Sequence, residues 1–472
     1  MKSNVIEFVK NFFSALSANV LRILFTLILT LLLPKLLGEG EYAMWQLYLF
    51  YVTYASYNSL GWSEGIYLKY GGQDYHKLDK KVIAGQIWSL VLYELVFILI
   101  FSIGVMAVVP DPSKKYVLWM AFLSAGLDTV RYMLQSLLQC TNRIKDYARI
   151  VMTERVIFFT LAILFILLGS RDYTVFIWSE IIARVISLIY AVCVCREVVF
   201  VKVSSPKDTL EEAKYLISCG FKLSFAALAS QLIIGIVRFA VEQEWGTVVF
   251  GKISLTLSMS NMLITCLAAV SVVLFPVLRR MDEQRLKKLY SVMRMALTVP
   301  LYAVLLAYVP IKYILVLWLP QYAETLKYLA ILFPICIYEV RTTILNNTYF
   351  NTYRKENYIL YINLITVAIS FVFTITTVGL CKSLDLAVVS IVILMMIKCL
   401  LSELVLQSIV GGNVIKDTIQ EFILTIVFIL SSWYVADYRA TLIYACVYVV
   451  YLVANRKNMV ARLMQLKDIL HK

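Results

Sequence analysis

The stretch Lys81–Pro110, KVIAGQIWSLVLYELVFILIFSIGVMAVVP, decides the fold. Its only charged residues are Lys81 and Glu94, and apolar and polar residues do not alternate along it. About 20 mostly apolar residues suffice for an α-helix to cross a hydrocarbon core of roughly 30 Å. The stretch therefore predicts a transmembrane helix. A closed β-barrel is excluded, because its strands would alternate in polarity.

The composition extends this prediction to the whole chain. Of 472 residues, 61% are hydrophobic and 16% are charged, whereas about a quarter of a soluble chain is charged. Soluble enzymes, nucleic-acid-binding proteins and secreted disulfide scaffolds are thereby excluded. The net charge of +14 is explained without nucleic acid, because cytoplasmic loops of membrane proteins collect Lys and Arg.

Fourteen apolar segments, separated by polar or Gly/Pro-rich breaks, are predicted to span the membrane. We therefore expect an all-α integral membrane protein with about 14 transmembrane helices. The predicted segments are 12–37, 42–61, 82–109, 116–140, 151–169, 174–196, 215–241, 248–278, 289–311, 324–345, 358–380, 384–409, 418–436 and 440–454.

The charge of the connecting loops predicts their orientation. With the N-terminus inside, the inner segments carry 26 Lys and Arg and the outer connections carry 6. Positive charge favours the cytoplasmic side, so both termini are predicted to be cytoplasmic. No small-residue cleavage site precedes the first span, which is therefore expected to remain as an anchor.

The connections are too short for a catalytic or nucleotide-binding domain outside the membrane. The longest, Arg196 to Lys214, falls between the sixth and seventh predicted spans. It predicts an N-terminal six-helix lobe (1–214), a second six-helix lobe (215–410) and a terminal helix pair with its tail (411–472). We predict that the chain is not an enzyme.

Motifs for cofactors and metals are weak. Gly246 to Lys252 has the spacing of a P-loop, but Ile253 stands where Ser or Thr would hold magnesium. The nine cysteines form no CxxC pair, and there are two histidines. We therefore expect no cofactor and no metal site.

Charges inside the spans are informative, since charge at membrane depth is costly and usually faces a partner or a wet cavity. Arg22 and Lys398 have no acid at helical spacing on their own helix, while Arg238 has Glu242 four residues on. Arg294 lies near a helix end, from which it can snorkel to the headgroups. Unneutralised cations at depth indicate a cavity for an anion, and guanidinium groups suit phosphate oxygens.

Two acid–base pairs have a local explanation. Asp128 precedes Arg131 by three positions, and Glu180 precedes Arg184 by four. Residues at these spacings are neighbours on one helix face. We expect that each pair can neutralise itself.

Several short motifs are spread over essentially the whole chain. They are Asn19-x-x-Arg22, Pro34 to Tyr42, Leu60-Gly61-Trp62, Gly65 to Gly72, Leu138 to Arg143, Gly251 to Pro276, and Trp318-Leu319-Pro320-x-Tyr322. Together they resemble one family of transporters, the polysaccharide-biosynthesis (Wzx-type) flippases of the multidrug/oligosaccharidyl-lipid/polysaccharide exporter superfamily.

The resemblance implies two six-helix lobes around a central cavity that opens alternately inward and outward. The implied substrate is an undecaprenyl-pyrophosphate-linked oligosaccharide, moved to the outer leaflet of a bacterial inner membrane. Implied partners are membrane lipids and a polysaccharide polymerase and glycosyltransferases of the same pathway, but no nucleic acid. By helix and charge, the implied substrate-binding cations are Arg22, Arg131, Arg238, Lys252 and Arg341.

Without a nucleotide site, an H⁺ or Na⁺ gradient or consumption of the substrate must supply direction. Asp128 and Glu94 are the predicted coupling acids, with Asp128 preferred because Arg131 could hold either its carboxylate or a substrate phosphate. Two alternatives stay open. One is a drug/cation antiporter of the same superfamily, and the other is a membrane-embedded glycosyltransferase or polymerase.

Overall fold

The computed structural model describes residues 23–278, 282–411, 415–435 and 437–470, and none of these residues lies in a β-strand. The all-α fold class is thus confirmed. Contacts divide the chain into two compact units with a border between Leu228 and Ala229.

The first unit contains eight complete or partly described helices and the beginning of a ninth. They are α1 (described over Ile23–Leu36), α2 (Glu39–Ala55), α3 (Trp62–Tyr70), α4 (Lys80–Val108), α5 (Pro112–Cys140), α6 (Ile144–Leu167), α7 (Tyr173–Val194), α8 (Arg196–Val199) and α9 (Pro206–Leu278).

The second unit contains the rest of α9 and nine further helices. They are α10 (Glu283–Val304), α11 (Tyr308–Trp318), α12 (Leu329–Leu332), α13 (Ile335–Val340), α14 (Asn347–Thr352), α15 (Glu356–Thr374), α16 (Leu384–Val410), α17 (Ile415–Tyr434) and α18 (Tyr438–Leu470). Arg341–Asn346 and Ile375–Leu380 form π-helical turns.

Aspartate caps set the starts of three long helices in the first unit. The Asp79, Asp111 and Asp172 carboxylates accept hydrogen bonds from backbone amides of the first turns of α4, α5 and α7. Pro112 adds a preset backbone angle at the first position of α5. Such caps satisfy amides that would otherwise lack partners at a helix start.

Nine helices in the described residues are long and apolar enough to span a membrane, or ten if the bent pair Thr325–Leu332 and Ile335–Thr352 is one span. The chain is therefore a multi-pass membrane protein. All fourteen predicted segments overlap helices, but the described part of α1 is short, α2 has 17 residues, and α9 contains two predicted segments. The count of fourteen stays a prediction.

The break inside α9 lies where the sequence places a loop. Gly246 has φ 83° and ψ 174°, which interrupts the helical backbone between the predicted seventh and eighth spans. Glycine is suited to such a left-handed φ, because it lacks a Cβ. The predicted border near 242–247 thus corresponds to a kink within α9.

The start of α9 packs tightly against α3 through three glycines. A Cβ on Gly65 would overlap the carbonyl oxygen of Leu216, and a Cβ on Gly220 would overlap that of Gly61. This close approach groups residues 215–228 with the first unit. The predicted lobe borders at 214/215 and 410/411 stay predictions.

Two ion pairs also join helices of the first unit. Lys69 Nζ lies 2.6 Å from Glu212 Oε2, which joins α3 to α9. Lys80 Nζ lies 2.8 Å from Glu197 Oε2, which joins α4 to α8. The hydrogen bond and the charge of Lys80 hold the pKa of the Glu197 carboxyl below its usual value.

Candidate functional site

A buried cluster of charges lies among α5, α6 and α7 of the first unit. Arg131 pairs with Asp128 on its own helix and with Glu154 on α6. Arg184 Nη2 lies 2.6 Å from Glu180 Oε1, and its Nε lies 3.8 Å from Glu154 Oε1. The two local pairs expected from helical spacing are confirmed. Glu154, which links both arginines, could not be assigned a partner from spacing alone.

Arg155, midway along α6, stands apart from this cluster. It is half-buried, and its Nε is enclosed without a hydrogen-bond acceptor. Among the described residues it makes no ion pair. A guanidinium that is enclosed but unpaired is available to an anion.

The side of α6 that carries Arg155 is not the lipid side. Ala148 and Ala162, seven positions before and after it, are buried, whereas Val156 and Leu164 are exposed. Positions seven apart lie on nearly the same face of an α-helix. Arg155 therefore lies on the packed side of α6, although it is itself partly exposed.

A second cluster, here called the Arg–Glu quartet, joins four helical segments of the second unit: Arg294 on α10, Arg341 at the π-turn, Glu403 on α16 and Glu421 on α17. Arg294 Nε lies 3.0 Å from Glu403 Oε1, and its Nη1 lies 2.9 Å from Glu421 Oε1. Arg341 Nη1 lies 2.5 Å from Glu421 Oε2, and its Nη2 bonds Glu403. All four are almost inaccessible, at 0–2% exposure. Two positive and two negative charges cancel within the quartet.

The C-terminal helix adds a further pair beside the quartet. Arg462 Nη2 on α18 donates to Asp417 Oδ2 on α17 over 2.9 Å, and Asp417 Oδ2 lies 3.7 Å from Arg294 Nη1. Thr418 Oγ1 accepts from Arg294 and donates to Glu403. These contacts bind α17 and α18 to the quartet.

Two expectations from the sequence are wrong. Arg294 does not snorkel to a headgroup, because Glu403 and Glu421 hold it in the interior. Lys398 is not unneutralised, because its Nζ lies 3.2 Å from Glu339 Oε2 and donates to Ser230 Oγ over 3.0 Å. In both cases the partner comes from another helix. The sequence does not indicate that Glu421 is a deeply buried acid, because it lies only one turn inside the predicted start of its span.

The five predicted substrate-binding cations have different surroundings. Arg131 and Arg341 are held by buried carboxylates, as described above. Arg238 Nη2 donates to Ser254 Oγ over 2.8 Å, and its guanidinium carbon lies 4.9 Å from the Phe250 ring centroid. Lys252 is half-buried, and Arg22 lies outside the described residues. Their role in substrate binding stays a prediction.

The two predicted coupling acids also differ. Asp128 bonds Arg131, whereas Glu94 on α4 accepts one hydrogen bond, from Asn58 Nδ2 to Oε2 over 2.8 Å. Glu94 is 3% exposed, and no cation of the described residues lies within ion-pair distance of it. Over the same part of the chain, no group of three or more His, Cys, Asp and Glu side chains could hold a metal.

Comparison of the sequence with protein-family models finds no match, and comparison with curated proteins finds none. Solved structures do match. The inward closed conformation of the lipid II flippase MurJ has a TM-score of 0.65 and 12% identity, covering 96% of this chain and all (100%) of that chain.

Two further matches are multidrug and related transporters. An inward-facing multidrug resistance MATE family transporter of the MOP superfamily has a TM-score of 0.63 and 12% identity, covering 84% of this chain and 98% of that one. A MOP superfamily transporter from Pyrococcus furiosus has a TM-score of 0.52 and 12% identity, covering 84% of this chain and 95% of that one. These neighbours are transporters and flippases rather than enzymes. The chain therefore shares the fold of these solved structures, which include a lipid II flippase and a multidrug transporter.

Proposed function

We propose that this protein is a flippase that moves an undecaprenyl-pyrophosphate-linked oligosaccharide from the inner to the outer leaflet by alternating access. The observation that carries the proposal is the extent of the structural match. The lipid II flippase covers 96% of this chain, and the MATE transporter covers 84%. The difference, 12% of 472 residues, is about 57 residues. It is close in size to the 62 residues of the predicted terminal pair, 411–472.

The proposed setting follows from the sequence. The excess of Lys and Arg in alternate loops supports the placement of both termini in the cytoplasm, and the family resemblance implies a bacterial inner membrane. Glycosyltransferases would supply the lipid-linked sugar, and a polymerase would use it outside. Because the connections are short, the translocation step itself must be carried out by the helices.

The pyrophosphate requires cations at membrane depth. Arg131, Arg184, Arg294 and Arg341 already neutralise buried acids, and withdrawing any of them would leave an unpaired buried carboxylate. Arg155 neutralises no acid among the described residues. We therefore add Arg155 to the proposed anion-binding residues, beside Arg22, Arg238 and Lys252, which are three of the five cations expected from the sequence.

A drug/cation antiporter is the second candidate function. Glu94 favours it, because a buried carboxylate without a cation could attract a cationic substrate. However, Glu94 is 3% exposed and enclosed within the first unit, which leaves little access for a drug-sized molecule. A glycosyltransferase or polymerase receives no support from the fold, since the matching structures are transporters.

Ligand binding to the purified full chain separates these candidates. We expect undecaprenyl pyrophosphate to raise the melting temperature and a cationic dye such as ethidium to leave it unchanged. Arg155→Ala should weaken binding of the pyrophosphate lipid roughly 10- to 100-fold, because a hydrogen bond to a charged group contributes about 1.5–3 kcal/mol. Arg155→Lys should recover part of the affinity, since the guanidinium fork is lost.

Arg149→Ala is the matched control. Arg149 lies on the same helix with 67% of its side chain exposed, so its removal should leave binding unchanged. Binding of ethidium without binding of the pyrophosphate lipid would contradict the flippase proposal. Equal affinity of wild type and Arg155→Ala would remove Arg155 from the anion site and leave the proposed function standing.

A further inference from the structure

Glu94 and Asn58 form an isolated polar pair inside the first unit. Glu94 lies midway along α4, and Asn58 lies in the 3₁₀ turn that follows α2. Asn58 Nδ2 donates to Glu94 Oε2 over 2.8 Å. The other two oxygens of the pair, Glu94 Oε1 and Asn58 Oδ1, are both enclosed and accept no hydrogen bond from the described residues.

Among the described residues, no cation forms an ion pair with the Glu94 carboxylate. Gly126 is the α5 residue against it, and a Cβ there would lie 3.4 Å from Oε2. Further along α5, Asp128 and Arg131 are bonded to each other. Tyr93, beside Glu94 on α4, turns its hydroxyl to the carbonyl oxygen of Asn58 at 2.9 Å.

The 3₁₀ turn and α8 also offer no cation within ion-pair distance of it. On the 3₁₀ turn, Tyr57 is the titratable residue next to Asn58. On α8, Glu197 pairs with Lys80 at the start of α4, about four turns from Glu94. An ionised Glu94 would therefore be a buried charge with a single neutral donor, which is strongly unfavourable.

A single proton on Glu94 would give both of these oxygens a hydrogen-bond partner. If Oε1 carries a hydrogen, it can donate to Asn58 Oδ1 while Oε2 continues to accept from Asn58 Nδ2. The acid and the amide then form a closed ring of two hydrogen bonds, and both enclosed oxygens are satisfied. The amide of Asn58 is complementary to a neutral carboxyl group in a way that it is not to a carboxylate.

We propose that Glu94 and Asn58 form a proton-binding site, in which Glu94 takes up one proton from water on Oε1 and later returns it to water. This inference rests on the proposed transport function, for which it supplies the coupling ion. It also reverses the preference for Asp128, because Arg131 holds that carboxylate in its charged form. Only an O–H bond forms and breaks in the step.

The direct test is infrared spectroscopy of the full chain in lipid nanodiscs as the pH is raised. The wild type should show the C=O band of a protonated, buried carboxyl group at neutral pH, and the band should disappear at high pH. Glu94→Gln should lose this band but keep its fold, since its amide can form the same ring with Asn58. Glu197→Gln, which removes an exposed acid, should keep the band.

The variant Asn58→Ala and an exchange of K⁺ for Na⁺ complete the test. Asn58→Ala should shift the band or its titration, because the ring partner is gone. Replacing K⁺ by Na⁺ should change nothing. A wild type without the band at neutral pH, a band that persists in Glu94→Gln, or a band abolished by Na⁺ would overturn the proton site, and the last would indicate a sodium site. Lipid binding is measured separately, so failure of the flippase proposal would not affect these outcomes.

Discussion

At the scale of single residues, the position of a charge in a helix does not show whether it is free. Spacing along one helix correctly paired Asp128 with Arg131 and Glu180 with Arg184, because residues three or four apart share a face. It could not pair Lys398 with Glu339, since that contact joins two helices distant in sequence. A count of cations within spans therefore overstates how cationic a cavity is.

The Arg–Glu quartet provides a test of this distinction. Arg341→Met should lower the free energy of unfolding by about 3–5 kcal/mol, because it leaves Glu403 and Glu421 with one arginine between them. Thermal or denaturant unfolding of the purified protein would measure the loss. The double variant Arg341→Met/Glu421→Gln should lose less stability than the sum of the losses of the two single variants, because one positive and one negative charge then remain.

The control for Arg341 is Arg439, whose side chain is 70% exposed. Arg439→Met should change stability by no more than about 0.5 kcal/mol. If Arg341→Met kept full stability but lost binding of the pyrophosphate lipid, Arg341 would be a substrate ligand, as the family resemblance implies, and not a structural residue.

At the scale of helices, most elements and the position of the break in α9 could be predicted from sequence, but the form of the breaks could not. Runs of apolar residues and aspartate caps locate α4, α5 and α7, because both signals are local. The 42° bend between Leu332 and Ile335 contains Pro334, whereas the π-turn Arg341–Asn346 contains neither proline nor glycine to mark it in the sequence. The sequence also predicts a loop where α9 has only a kink at Gly246.

The glycine contact between α3 and α9 gives a prediction at this scale. Gly220→Ala should destabilise the protein by about 1–3 kcal/mol, because the added methyl would meet the backbone at Gly61. Melting temperature in detergent would report the change. Gly104→Ala in α4 is the matched control, since nothing lies within 4 Å of its added Cβ. It should be neutral or stabilise by up to about 1 kcal/mol. Equal stability of Gly220→Ala and wild type would mean that the helices do not approach this closely.

At the scale of the whole molecule, the sequence predicts the membrane class and the superfamily fold but only part of the candidate site. Hydropathy determines the class, because backbone groups in lipid must be satisfied within helices. The substrate is a different matter, since one fold serves both drug transporters and lipid flippases. Arg155 is one of several charges within the predicted spans, and only the side-chain contacts separate it from Arg131 and Arg341.

Translocation itself is the most direct test of the proposed flippase function. The purified chain would be reconstituted in vesicles containing an undecaprenyl-pyrophosphate oligosaccharide with a fluorescent sugar, and a membrane-impermeant quencher would be added outside. We predict that the inner-leaflet substrate becomes quenchable with wild type and Arg149→Ala, and roughly tenfold or more slowly with Arg155→Ala. If the wild type quenched no more than protein-free vesicles while the same vesicles accumulated ethidium, the flippase account would be contradicted.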